Sequence, residues 1–200
     1  MSRWKIGGFV LVAIAIAAVA YGALLIRDGF SARDNPSAME AYIAKTARKL
    51  SIPASERDAK NPFAATPQVL SEARAHFADH CAICHGNDGS GKTEIGQNLY
   101  PKTPDMRQSE TQNLTDGQMY SIIHNGIRLT GMPAWGGPNK DDDSWGLVLF
   151  IRHLPQMTPQ EMKEMEPYNP KSAAERAEEK DEQRFLNEGK APEMKMKMHH

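Results

Sequence analysis

The pattern of apolar and polar positions divides the chain into four parts. From Ile6 to Ile26 no charged residue occurs, a run about as long as the roughly 20 residues a bilayer-spanning helix needs. Arg3, Trp4 and Lys5 precede it, giving the positive flank and interfacial aromatic expected of an end kept in the cytoplasm, with the rest of the chain on the other side. Ala18-Val19-Ala20 has the small-x-small form of a signal cleavage site. Two readings therefore stand: an uncleaved single-pass anchor at about residues 6–26, or a chain secreted after cleavage near Ala20. Continuation of the run through Tyr21, Leu24, Leu25 and Ile26 favours the anchor.

Residues 31–66 are mixed in charge and punctuated by Pro36, Pro53 and Pro62, and only Ala38 to Leu50 has a helical pattern. They predict a spacer. Between Arg27 and Lys60, seven Lys/Arg stand against five Asp/Glu, so this spacer could rest near anionic head groups; a solvated linker is the plainer reading. A compact section, 67–155, follows. Val69, Leu70, Ala73 and Phe77 fall on one helical face and predict a helix running up to Cys81. Thr115-x-x-Gln118 is a capping box opening a second helix through His124, stopped by Asn125-Gly126. Asp141, Asp142 and Asp143 lead into a third, Trp145 to Leu154, closed by Pro155. No stretch alternates as a strand does. The fold class expected is all-α, with long loops that need something to pack against. Residues 156–200 turn to Glu, Lys, Met and Ala, and predict a charged tail, partly helical or disordered, with a Met- and His-rich end.

Composition narrows the picture. At 200 residues, 40% hydrophobic and 24% charged, with a net charge of -1, the chain should hold one core. No basic footprint recommends nucleic acid. The mean hydropathy of -0.57 hides the apolar run, so the remainder is very polar. Two cysteines, Cys81 and Cys84, are all there are, which excludes a disulfide-stapled fold.

Those cysteines carry the chemistry. Cys81-Ala82-Ile83-Cys84-His85 is a C-x-x-C-H pattern, in which two thiols one helical turn apart form thioethers to haem and the next residue offers an imidazole to the iron. One covalent haem c is the cofactor expected, which puts the domain on the periplasmic side, where such attachment is made. A thioredoxin-like pair would need βαβ surroundings, which are absent. A zinc site draws on His76 and His80, but no second ligand pair follows at finger spacing. The sixth iron ligand decides the class of function, because a haem closed on both sides does little but exchange electrons. Met106, Met119, Met132 and Met157 are the methionines on offer. Met132 sits in Thr130-Gly131-Met132-Pro133-Ala134-Trp135-Gly136-Gly137, stiffened by proline and freed by glycine, and is preferred. Met106 is its competitor, and Met119 reads as helix core. His124 and His153, at helix ends, complement the helix dipole.

With these residues the section from Pro67 to Leu154 resembles the class I c-type cytochromes, specifically small single-haem bacterial members with an N-terminal anchor. The resemblance rests on Cys81 to Gly91, on Gly96-Gln97-Asn98-Leu99, on Ile123-x-x-Gly126 and on Gly131-Met132-Pro133-Ala134-Trp135. It implies three or more helices around one haem held by Cys81 and Cys84, with His85 and Met132 as axial ligands. Asn98, Tyr100 and Trp135 become candidate haem contacts. Phe77 looks like the aromatic by which the family's first helix crosses its last, with Leu147 and Phe150 as partners, and Ala73 stands where the family often has glycine. Gln97 stands where many members have a proline whose carbonyl accepts from the axial histidine. Any residue offers a carbonyl, so that bond is still expected.

The function expected is a membrane-tethered, single-haem carrier passing electrons between respiratory-chain partners, not an enzyme. The alternative is a fixed cytochrome subunit of a larger oxidase, quinol-oxidising or dehydrogenase complex; a haem sensor or peroxidase would need Met132 off the iron. Counted from Pro67 to Pro155, seven Lys/Arg stand against ten Asp/Glu, which favours redox partners with a basic rim. At the C-terminus Met194, Met196, Met198, His199 and His200 form a soft thioether and imidazole tract suited to Cu(I). An oxidisable tail is the plainer reading, since Lys195 and Lys197 interrupt it.

Overall fold

The computed structural model describes residues 3–29, 31–138, 141–171 and 173–188. Among them every regular element is helical. The apolar run forms α1 (Arg3–Asp28). Its stretch Trp4–Leu24, of mean hydropathy 2.3 and wholly unburied, is long and apolar enough to cross a membrane. α2 (Ala38–Ser51) starts at Ser37, whose hydroxyl accepts from the Glu40 N–H and so satisfies one of the free amides of a helix start.

The compact section is built on one crossing. α4 (Pro67–His76), capped by Thr66, packs across α9 (Asp141–His153). Phe77 and Phe150 are 1% and 0% exposed, with ring centroids 5.0 Å apart at 55°, a tilted pair of the kind worth something beyond its area. Leu147, Val148, Ile151 and Leu154 complete this core from α9 and the 3₁₀ turn after it. Burying each large side chain contributes about 1.5–3 kcal/mol. Close approach is possible although the family's glycine is replaced by Ala73, because Gly146 faces it: a Cβ on Gly146 would meet Ala73 Cβ at 3.6 Å, an ordinary contact.

Two stretches expected to stand apart are built onto this core. In the 31–66 stretch, α3 (Ala54–Arg57) lies against α8 (Asp116–Asn125), the helix opened by the capping box of Thr115 and Gln118. Ser121 Oγ donates to Glu56 Oε2 at 2.9 Å, Thr115 Oγ1 to the Arg57 carbonyl at 2.6 Å, and Asn61 Nδ2 to the Trp145 carbonyl at 2.9 Å. Ile52 is buried as well. In the 156–200 stretch, Thr158 and Glu161 make a second capping box for α10 (Pro159–Met165), which turns back over α4. Met165 is 0% exposed, and Arg74 of α4 reaches Glu164 at 2.7 Å and Glu161 at 3.6 Å. Only α11 (Ala173–Glu188) is left as an exposed, highly charged helix. The copper-suited residues Met194, Met196, Met198, His199 and His200 lie outside the described residues.

Candidate cofactor site

α4 does not run unbroken into the cysteines. Phe77–Cys81 is a π turn, with the Ala82 N–H bonded to the Phe77 carbonyl, and the helix resumes as α5 (Ala82–His85). Wide turns of this kind cluster at functional sites because they re-aim side chains. At about 100° per residue, Phe77 and His85 would stand about 80° apart around an unbroken helix. The wide turn removes most of that difference, and their rings lie 6.3 Å apart. His85 is thereby set on the core side of its helix.

Burial decides the state of each candidate ligand. It pushes the Cys81 thiol up to about 12, the neighbouring Cys84 adding to the effect, and raises the Cys84 thiol too. Both are free cysteines and remain thiols, the form that adds to a vinyl group, and poor thiolate ligands for zinc. Burial lowers the His85 imidazole to about 4, so it is neutral at physiological pH and its lone pair is available. Its Nδ1 is buried without a hydrogen-bond partner. The bond expected from Nδ1 to the Gln97 backbone carbonyl is therefore not made; separately, the Gln97 side-chain amide donates to the Gly91 carbonyl at 2.8 Å. A buried neutral imidazole beside two thiols is the donor set a covalent haem requires. His76 and His80, the basis of the zinc reading, have ring centroids 4.7 Å apart. Among the described residues no group of three His, Cys, Asp or Glu is arranged to hold a metal ion.

The loop carrying Met132 is tied on both sides of the motif. α6 (Glu94–Gln97) is capped by Thr93, whose hydroxyl also donates to the Cys84 carbonyl at 2.9 Å. Leu99, just beyond, packs over Gly131. On the other flank, Trp135 meets His80 edge-on with ring centroids 5.3 Å apart. The loop folds back along the end of α8: Trp135 N–H donates to the Ile123 carbonyl at 3.1 Å and Gly136 N–H to the His124 carbonyl at 2.9 Å. Gly126, at φ 65°, ends the helix, and a Cβ there would lie 2.6 Å from the backbone of Pro133 and Ala134. The Ile123-x-x-Gly126 end of α8 and the methionine loop therefore pack as one unit. Inside it, Met132 N–H donates to Thr130 Oγ1 at 3.1 Å and the Met132 carbonyl accepts from Ile127 N–H at 3.0 Å. Of the four methionines considered, Met106 and Met119 are buried in the core and Met157 packs against it; Met132 lies outside that cluster, in the loop.

Two other candidate contacts use their polar atoms elsewhere. The Asn98 amide donates to the Glu94 carbonyl at 2.9 Å, closing α6. The Tyr100 hydroxyl interacts with Glu40 of α2, whose carboxylate is the main cause that pushes the phenol up to about 12. Sequence reasoning missed Thr93 and Leu99 as the link between the motif and the methionine loop, and His80 as the rest for Trp135. The S/T-x-x pattern before Gly96 was the available signal for the first of these.

Comparison with known proteins bears on the same section. Residues 68–151 match the family described as cytochrome c oxidase, cbb3-type, subunit III. The Cbb3-type cytochrome c oxidase subunit FixP of Rhizobium meliloti (strain 1021) is 32% identical over 90 residues, which are 44% of this chain and 28% of that protein. Subunit FixPc of Rhizobium leguminosarum bv. viciae is 29% identical over 93 residues, 44% of this chain and 29% of that protein. The matched region spans less than a third of the length of these curated relatives.

Proposed function

We propose, from the premise that residues 68–151 are a c-type cytochrome domain with covalently bound haem c, that this chain is a membrane-tethered carrier of single electrons. One observation carries the reading: the Met132 loop is fastened to both flanks of the C-x-x-C-H turn, by Leu99 against Gly131 and by Trp135 against His80. When bound, haem c supplies a one-electron iron couple. Cys81 and Cys84 would hold it by thioethers, and His85 and Met132 would offer their lone pairs to its iron. Phe77, 1% exposed, with its ring 6.3 Å from that of His85 and backed by Phe150, keeps water from that side of the imidazole. Met132 as a ligand would raise the potential relative to a second histidine. α1 anchors the domain, with Arg3 and Lys5 on the cytoplasmic side and the domain on the periplasmic side.

The ferric holoprotein is expected to show the far-red charge-transfer band of methionine on iron, and the ferrous form to leave carbon monoxide unbound. Met132→Ala should abolish the band and admit carbon monoxide; Met106→Ala should keep the band. A band that survives in Met132→Ala overturns the ligand assignment and with it the closed site.

The printed names of the relatives favour a second reading, a fixed subunit of a larger oxidase. A mild-detergent native gel of source membranes, stained for haem, separates the two. A lone chain supports the carrier, and co-migration with a large complex supports the subunit.

A further inference from the structure

α2 has two faces, and the fold uses one of them. Its inner side lies along the cytochrome domain: the Glu40 carboxylate interacts with the Tyr100 hydroxyl, Lys45 Nζ lies 2.8 Å from Glu110 Oε1 in an exposed pair, and Ile52, just past the helix end, is buried. Ala41 and Arg48 are half-buried on that side. At about 100° per residue, Met39, Tyr42, Ile43 and Leu50 fall together on the other side, with half-buried Thr46 in their midst. The four apolar ones are 67%, 68%, 58% and 80% exposed. An apolar stripe left in water on a well-capped helix calls for an occupant.

Three observations identify it as a lipid surface. Nine residues separate α1 from α2, so even a fully extended connection, at most about 3.5 Å per residue, keeps the start of α2 within roughly 35 Å of the end of α1. Of its cations, Lys49 is exposed at the rim of the stripe, where a positive charge suits anionic head groups, while Lys45 and Arg48 lie on the inner side. Four side chains are also too few for a protein partner, whose standard interface takes about 800 Å² from each side. A narrow stripe beside a cation, with a tyrosine in it, is what a helix lying in the head-group layer needs.

We propose that α2 lies in the head-group layer of the membrane that α1 enters, with Met39, Tyr42, Ile43 and Leu50 inserted toward the acyl chains. The cytochrome domain, joined to α2 through buried Ile52 and through α3 docked on α8, is then held at one attitude to the bilayer instead of swinging on a spacer. This rests on the reading of α1 as a membrane anchor.

The test uses the full haem-loaded chain in vesicles of phosphatidylcholine and phosphatidylglycerol. Nitroxide labels are placed singly through Ala47→Cys, beside the stripe, Val12→Cys in α1 and Lys163→Cys on exposed α10, and their collision rates with oxygen and with a water-soluble nickel chelate are compared. The oxygen-to-nickel ratio at 47 is expected to exceed that at 163 by at least about threefold, as for a site about 5–10 Å below the head-group boundary. Adding Met39→Ser, Ile43→Ser and Leu50→Ser, all at exposed positions, should return the ratio at 47 to that at 163. A water-like ratio at 47 with a lipid-like one at 12 overturns the proposal and leaves the anchor standing, as does a lipid-like ratio at 47 that survives the three serines. Water-like ratios at both 12 and 47 overturn the anchor and the proposal together.

Discussion

The imidazole of His124 fills the space that a side chain on Gly136 would take. A Cβ there would lie 2.3 Å from His124 Cγ and Nδ1, while Gly136 N–H donates to the His124 carbonyl. On its other side the imidazole stacks on Tyr120, with centroids 5.2 Å apart, and Tyr120 stacks on Trp145 at 4.3 Å. The Tyr120 hydroxyl is held by Asp141 Oδ1 at 2.8 Å. The far end of the methionine loop is thus wedged against a ring that cannot move aside.

Gly136→Ala should therefore displace the loop rather than the histidine. Overpacking of this kind costs about 1–3 kcal/mol. A lower melting temperature and a weakened far-red methionine band are expected together in the ferric holoprotein. An unchanged band with an unchanged melting temperature would show that His124 yields after all.

Thr115 serves two elements with one hydroxyl, which accepts from the Gln118 N–H at 3.1 Å and donates to the Arg57 carbonyl at 2.6 Å. Thr115→Ala removes the cap of α8 and the tie to α3 at once. A loss of about 1–2 kcal/mol, at the upper end for a helix cap, is expected in urea unfolding of the holoprotein. Thr115→Ser keeps the hydroxyl and should restore most of it; an equal loss in both variants would locate the effect elsewhere.

Glu161 links α10 to the core through a titration. The Thr158 N–H, with the His153 and Thr158 side chains adding to it, holds the Glu161 carboxyl down to about 2 from its ordinary 4.5, against the effect of burial. A carboxyl depressed on folding stabilises the folded state fully above its unfolded pKa, and that contribution is lost as pH falls toward the folded value. Between about pH 6 and about pH 3, then, the wild type should lose more stability than Glu161→Gln. Parallel melting curves of the two proteins over that range would assign the effect to another carboxylate, such as Asp105, which Arg107 also holds well below the usual range.

What the sequence made legible was local. The C-x-x-C-H turn, the Thr115 capping box and the proline- and glycine-rich Met132 loop each state their geometry within a few residues, while the Phe77–Phe150 crossing was implied by the resemblance to class I cytochromes and not by spacing. Two stretches were not legible, because what docks them is a handful of polar bonds over long separations. Glu56 to Ser121 and Arg74 to Glu164 look in sequence like solvated charge, and Met165 is a single apolar anchor in a charged stretch, too few to mark a face. Tyr100 and Asn98 misled for a related reason: α2 and the end of α6 compete for their polar atoms, and residue type alone does not reveal a competitor.

The wide turn at Phe77–Cys81 also fixes what kinds of change in chain length this protein can absorb. A residue gained or lost in an exposed loop is taken up locally at little cost. One removed between Phe77 and Cys81 would tighten the turn into ordinary helix and, with seven residues at about 100° each between Phe77 and His85, leave the two within about 20° of alignment. One added there would instead rotate everything before it, relative to His85, by about a quarter-turn. The aromatic that meets Phe150 and the imidazole behind it could then no longer face the same way. The interval between them is a ruler whose length is set by the helix crossing at one end and the cofactor at the other.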